Sequence, residues 1–91
     1  MDDWEESELA WELADAVNPL LAGNDLAQLY AIIGSGESYT AITTVLPIAV
    51  RHGLPMPTEL IIKLTEWFGA YAHSDDAPRL RELLDAISSV R

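Results

Sequence analysis

The sequence predicts an all-α fold: a compact bundle of about five short helices around a central, apolar third helix. Three observations predict it. Apolar residues recur at the i, i+3, i+4, i+7 spacing of a helix in one segment after another. Gly, Pro and Asn/Asp breakers fall mainly between those segments. The run between Glu37 and Arg51 carries no charged side chain, as befits a helix apolar nearly all round and therefore buried. At 91 residues, a single domain covering 1–91 is expected, since domains most often hold roughly 100–150 residues.

The first helix is expected from about Asp3 to Val17. Asp2 or Asp3 can cap its start, and Glu5 and Glu6 favour the positive end of the helix dipole. Asn18-Pro19 interrupts it, because a residue preceding proline avoids the α region. A short turn through Leu20 and Leu21 follows, with Gly23 as its stop. The second helix opens at Asn24 or Asp25, buries Leu26, Leu29, Tyr30 and Ile33, and ends at Gly34. Ser35 or Ser38 is the expected N-cap of the third helix, Glu37 to His52, with Gly53 as the stop. Pro47 removes one backbone bond and bends that helix near Thr43. A local strand reading of the threonine-rich run fails because its flanks are helical and no partner strand is visible.

Leu54-Pro55-Met56-Pro57 reads as an extended connector. Pro57 or Thr58 opens the fourth helix, with Leu60, Ile61, Leu64, Trp67, Phe68 and Tyr71 on one broad face and Glu59, Lys63 and Glu66 opposite. Glu59 and Lys63 form a favourable i, i+4 pair. Ser74, Asp75 or Asp76 caps the fifth helix, Pro78 is tolerated in its first turn, and Leu80, Leu83, Leu84, Ile87 and Val90 form its buried stripe. Arg91 lies near the negative end of that helix dipole. The short connection makes helices four and five antiparallel neighbours.

Charge sets the strongest functional constraint. Fifteen acids face five bases, a net charge of −10. Residues 1–50 contain nine of the acids and no Lys or Arg. Such a field repels phosphate backbones, so direct nucleic-acid binding is disfavoured and a basic protein partner is attracted. The chain has no cysteine, which removes disulfides and thiolate metal sites. Its acidic start is the reverse of a signal-peptide n-region, and no apolar run approaches the ~18 residues of a membrane span. A soluble, cytoplasmic protein is the expectation.

The first helix carries the most informative pattern. At about 100° per residue, Glu5, Glu8, Glu12 and Asp15 share one stripe, with Leu9, Ala10, Leu13, Ala14 and Val17 opposite. Trp4 and Trp11, seven residues apart, line up beside the acids. Carboxylates next to indole rings suit Arg or Lys side chains through ion pairing and cation–π contact, and Trp is enriched at interface hot spots. Glu8 and Glu12, like charges at i, i+4, cost a few tenths of a kcal/mol in an isolated helix. A sequence shaped for stability alone would place a base there. Trp4, Glu5, Glu8, Trp11, Glu12 and Asp15 are therefore the expected partner-binding residues.

Other patterns read as structural. His73-Ser74-Asp75-Asp76 supplies too few converging ligands for a metal site, and its Ser and Asp residues serve as caps. His52 suits a helix C-terminus. Gly34-Ser35-Gly36-Glu37-Ser38 lacks the lysine of a phosphate loop and the pattern of a nucleophile elbow. Tyr30, Tyr39 and Tyr71 read as core residues with hydroxyls reaching the surface, and Trp67 and Phe68 as core. No metal, cofactor or catalytic set is expected.

In size and charge the chain resembles small acidic helical proteins such as immunity proteins, antitoxins, phage inhibitors and nucleic-acid mimics. The resulting expectation is a non-enzymatic binding module, an acidic inhibitor or immunity/antitoxin-like protein that engages a basic partner through helix one. The alternative is a structural or assembly role as a helical homodimer. It is motivated by the near-cancellation of burial and chain entropy in so short a chain.

Overall fold

The computed structural model describes residues 2–89. Within them the chain forms five α-helices and one short 3-10 turn, with no strand: α1 (Asp3–Val17), the turn (Asn18–Leu20), α2 (Gly23–Gly34), α3 (Ser38–Arg51), α4 (Thr58–Ala70) and α5 (Ala77–Ser89). The expectations for Val90 and Arg91 fall outside the described residues. The Cα radius of gyration is 12.2 Å, matching the roughly 12 Å expected of a compact chain of this length, so no helix projects away from the others.

Helix α1 starts where Asp2 accepts a hydrogen bond from the Glu5 N–H at 2.8 Å, satisfying one of the orphan donors of the first turn. It ends at Val17, and the Pro19-containing 3-10 turn redirects the chain. Gly23 is not the stop expected of it. Leu21 and Ala22 are extended, the Leu26 N–H donates to the Ala22 carbonyl at 2.9 Å, and Gly23 is the first residue of α2. The proline turn makes the reversal, so no left-handed residue is required there.

Two glycines do meet a left-handed requirement. Gly36 (φ 89°) and Gly53 (φ 60°) close α2 and α3. At each, paired bonds recapture the last carbonyls: Gly36 N–H to Ile33 and Glu37 N–H to Ile32, then Gly53 N–H to Val50 and Leu54 N–H to Ala49. This is the Schellman arrangement. Gly53→Ala is expected to cost about 1–2 kcal/mol because a Cβ is disfavoured in that conformation. Nothing lies within 4 Å of the added Cβ, so urea unfolding reads backbone conformation rather than a clash.

The serines of the same loop act differently from expectation. Ser35 is the C-cap of α2 and donates to the Ile32 carbonyl at 2.8 Å. Ser38 is the first residue of α3 and is buried, and Glu37 occupies the N-cap without a side-chain bond. The tight Gly36 turn uses up the residues that a Ser cap would need. Helix α3 runs unbroken through Pro47. Upstream of it, the Thr43 and Thr44 hydroxyls both donate to the Thr40 carbonyl, at 3.0 and 2.7 Å. Local hydroxyl bonding of this kind satisfies a threonine-rich stretch in a helix.

The core is continuous across all five helices. Helix α3 packs against α1, α2 and α5, and reaches α4 through Tyr39 on Trp67. Its most extensive packing is against α1, and Ala10 and Ala14 of α1 and Ala41 and Ala49 of α3 all belong to the common core with essentially no exposure. Small side chains of this kind let two helix backbones approach closely. Helix α4 buries Leu60, Leu64 and Trp67, and α5 buries Ala77, Leu80 and Ile87. No helix among the described residues is long and apolar enough to cross a membrane.

Candidate functional site

The apolar stripe of α1 faces the core, so its acidic stripe faces outward. Leu9, Ala10, Leu13, Ala14 and Val17 are buried, while Glu5, Glu8 and Asp15 are exposed and Glu12 is half-buried. Trp4 is 71 % exposed and Trp11 42 %. With Ser7, Glu8 and Glu12 they line a shallow depression of about 350 Å³. Four of the six expected residues thus meet at one place. Glu5 stands outside it, and Asp15 lines a neighbouring depression with Glu12, Glu59, Leu60 and Lys63.

Each wall of this surface is held differently. The Trp11 ring stacks on Tyr30 of α2, with centroids 5.4 Å apart and planes at 24°. The Tyr30 hydroxyl donates to Asp15 and accepts from Asn18, both at 3.4 Å. Among the described residues no ring stacks on Trp4 and no hydrogen bond holds its side chain. Lys63 of α4 donates to both Glu12 oxygens, at 2.8 and 2.9 Å, which replaces the expected pairing with Glu59. The helix spacing permits the Glu59 pair, but α1 packs beside α4 and offers a two-oxygen acceptor. The hydrogen bond to Glu12 holds the Lys63 ammonium above its ordinary pKa against an opposing desolvation, and the charges of Glu12, Glu8 and Glu59 reinforce it. One lysine therefore sits within an acidic band that extends from α1 onto the start of α4.

A second cluster was not anticipated. Glu6 is half-buried and accepts from the Trp67 indole N–H at 2.8 Å and the Tyr71 hydroxyl at 2.6 Å. The rings of Tyr39, Trp67 and Tyr71 lie 4.7 to 5.7 Å apart in tilted contacts. Tyr39 closes the arrangement by donating to Asp76 at 2.8 Å. The Tyr71 hydroxyl thus ends on the half-buried Glu6, whereas those of Tyr30 and Tyr39 reach the surface and end on the exposed Asp15 and Asp76. A signal was present in the sequence. Glu6 precedes Leu9, Ala10 and Leu13 by three, four and seven residues, so it falls on the apolar face of α1, where a carboxylate needs donors.

Burial, and then the Glu6 hydrogen bond and charge, push the Tyr71 hydroxyl up to about 12. Burial and Asp76 likewise raise Tyr39. The folded chain holds these protons more tightly than the unfolded chain, whose tyrosines titrate near 10. Their contribution to stability is therefore complete below about pH 10 and is lost as pH rises towards 12. Alkaline unfolding followed with tyrosinate absorbance is expected to show this loss, smaller in Glu6→Gln.

Asp76 accepts from Tyr39, His73 and Asp75 are exposed, and the buried Ser74 hydroxyl has no hydrogen-bond partner among the described residues. Among the described residues no group of three or more His, Asp or Glu side chains converges as a metal site would require. Arg81 lies over the Phe68 ring, 5.5 Å from its centroid, an intramolecular cation–π contact. Compared with family models, curated proteins and solved structures, the chain gives no match.

Proposed function

We propose that this chain is a non-enzymatic protein-binding module, an acidic inhibitor of the immunity or antitoxin kind, that engages a basic partner protein through the outer face of α1. The carrying observation is the exposure of Trp4, at 71 %, beside Glu8 and Trp11 in one depression. An indole contributing so little to the core, next to Glu8, which forms no ion pair among the described residues, suits a guanidinium or ammonium group held by charge and by the ring face together. The net charge of −10 adds long-range attraction for such a partner. Cytoplasmic residence accords with this role and with the lack of cysteine.

The test measures binding of a captured basic partner at low and high salt, with the native chain and with Glu5, Glu8 and Glu12 changed to Gln and Asp15 to Asn. The proposal expects binding that weakens with salt and is lost in the variant. Equal binding by the variant would remove the electrostatic basis. The alternative homodimer draws on Ile62 of α4, which is 53 % exposed on the outside of the bundle. Sedimentation at micromolar concentration decides it, because a strict monomer contradicts it.

A further inference from the structure

A second concave site lies away from the outer face of α1, between the Asn18–Leu20 turn, α2 and the C-terminal half of α3. It has a volume of about 310 Å³, at the small end of the roughly 300–1,000 Å³ typical of ligand pockets. Its apolar lining comes from Leu20, Leu21, Leu29, Ile32 and Ile48. Leu29 is fully buried, whereas the others are half-buried aliphatic side chains left partly open to solvent. Asp25 of α2 and Arg51 of α3 both line this depression. Their charged groups form no ion pair within 4.0 Å; among the described residues the one such pair is Lys63 with Glu12.

This combination is specific in its polarity. Arg51 is the first base in the chain, and here an acid and a guanidinium share a depression of mixed lining, completed by Gln28, Thr44 and His52, without forming an ion pair. A simple anion would meet Asp25 and the net charge of −10, and a simple cation would meet Arg51. A ligand carrying both charges on groups of one carbon offers a partner to each residue and is neutral overall, so it incurs no long-range repulsion. We propose that this pocket binds a free aliphatic α-amino acid. Its carboxylate pairs with Arg51, its ammonium with Asp25, and its side chain lies on Leu29, Ile32 and Ile48.

The test titrates isotope-labelled protein with L-leucine and follows the backbone amide signals by NMR. Saturable shifts are expected at Asp25, Gln28, Leu29 and Arg51, with little change along α1. Arg51→Gln and Asp25→Asn should each weaken binding at least about tenfold, as loss of a charge-assisted hydrogen bond does. Both positions are exposed, and far-ultraviolet circular dichroism should show unchanged helix content. 4-Methylpentanoate, which lacks the ammonium group, isopentylamine, which lacks the carboxylate, and glycine, which lacks the side chain, should all bind more weakly. Absence of shifts at millimolar leucine, or equal binding of either singly charged analogue, would overturn the proposal. Neither result bears on the α1 surface.

Discussion

Trp67→Ala is expected to lower the unfolding free energy by about 3–5 kcal/mol, the range for removing a buried large aromatic side chain. Trp67 is 1 % exposed and is among the largest fully buried side chains in the chain. Its ring packs against Tyr39 and Tyr71, and its N–H occupies one of the two donor positions on Glu6. Truncation therefore opens a cavity where α3 and α4 meet and leaves the Glu6 carboxylate with one donor. Against a total stability of roughly 5–15 kcal/mol for a domain, such a loss leaves a chain close to unfolding at ambient temperature. Trp67→Phe keeps most of the volume and loses only the N–H, so its cost should be nearer 1–2 kcal/mol. Urea denaturation measures both, and similar losses in the two variants would show that packing is not the main contribution.

Glu6→Ala should cost about 3 kcal/mol, since it strands the Trp67 N–H and the Tyr71 hydroxyl at once and each orphaned group carries a desolvation penalty. The carboxylate links α1 to the C-terminal end of α4, 61 and 65 residues further along the chain. Tyr71→Phe removes one of the two donors and should cost less. The two changes share a partner, so their combined effect should fall short of the sum by a measurable coupling of about 0.5–3 kcal/mol. Strict additivity would mean that the Glu6–Tyr71 bond contributes nothing. In Glu6→Ala the Tyr71 hydroxyl should also titrate lower than its present value of about 12, because the acceptor and its negative charge are gone.

These two positions mark where sequence reading succeeds and where it stops. The bounds of α1, the Gly53 stop and the burial of α3 follow from local rules: a side-chain cap, a left-handed residue and apolar periodicity. The partners of Glu6 do not. Periodicity identifies the buried face on which Glu6 lies, but selecting Trp67 and Tyr71 as its donors requires knowing which helix α1 packs against. Lys63 is a similar case. The i, i+4 rule offers Glu59, whereas helix packing supplies Glu12 with two oxygens. Gly23 opens α2 rather than stopping the turn, because a proline turn and a glycine stop can both reverse a chain and the sequence contains both within five residues.

The outer face of α1 was legible because exposure there depends on the phase of a single helix. The period that buries Leu9, Ala10, Leu13, Ala14 and Val17 turns Glu8, Asp15 and Trp4 outward. What the helix period does not give is the support behind the face: Tyr30 stacked under Trp11 and Lys63 drawn onto Glu12. These contacts leave Glu8 and Trp4 as the members of the depression with least commitment to the fold.

The contact role proposed for the outer face of α1 requires that this surface be dispensable for folding. The most direct measurement is the unfolding free energy of the double variant Trp4→Ala with Glu8→Gln, compared with the native chain. The predicted result is a change within about 0.5 kcal/mol, as for surface positions without structural roles. A loss of about 2 kcal/mol or more would contradict it, because Trp4 and Glu8 would then be holding the bundle together.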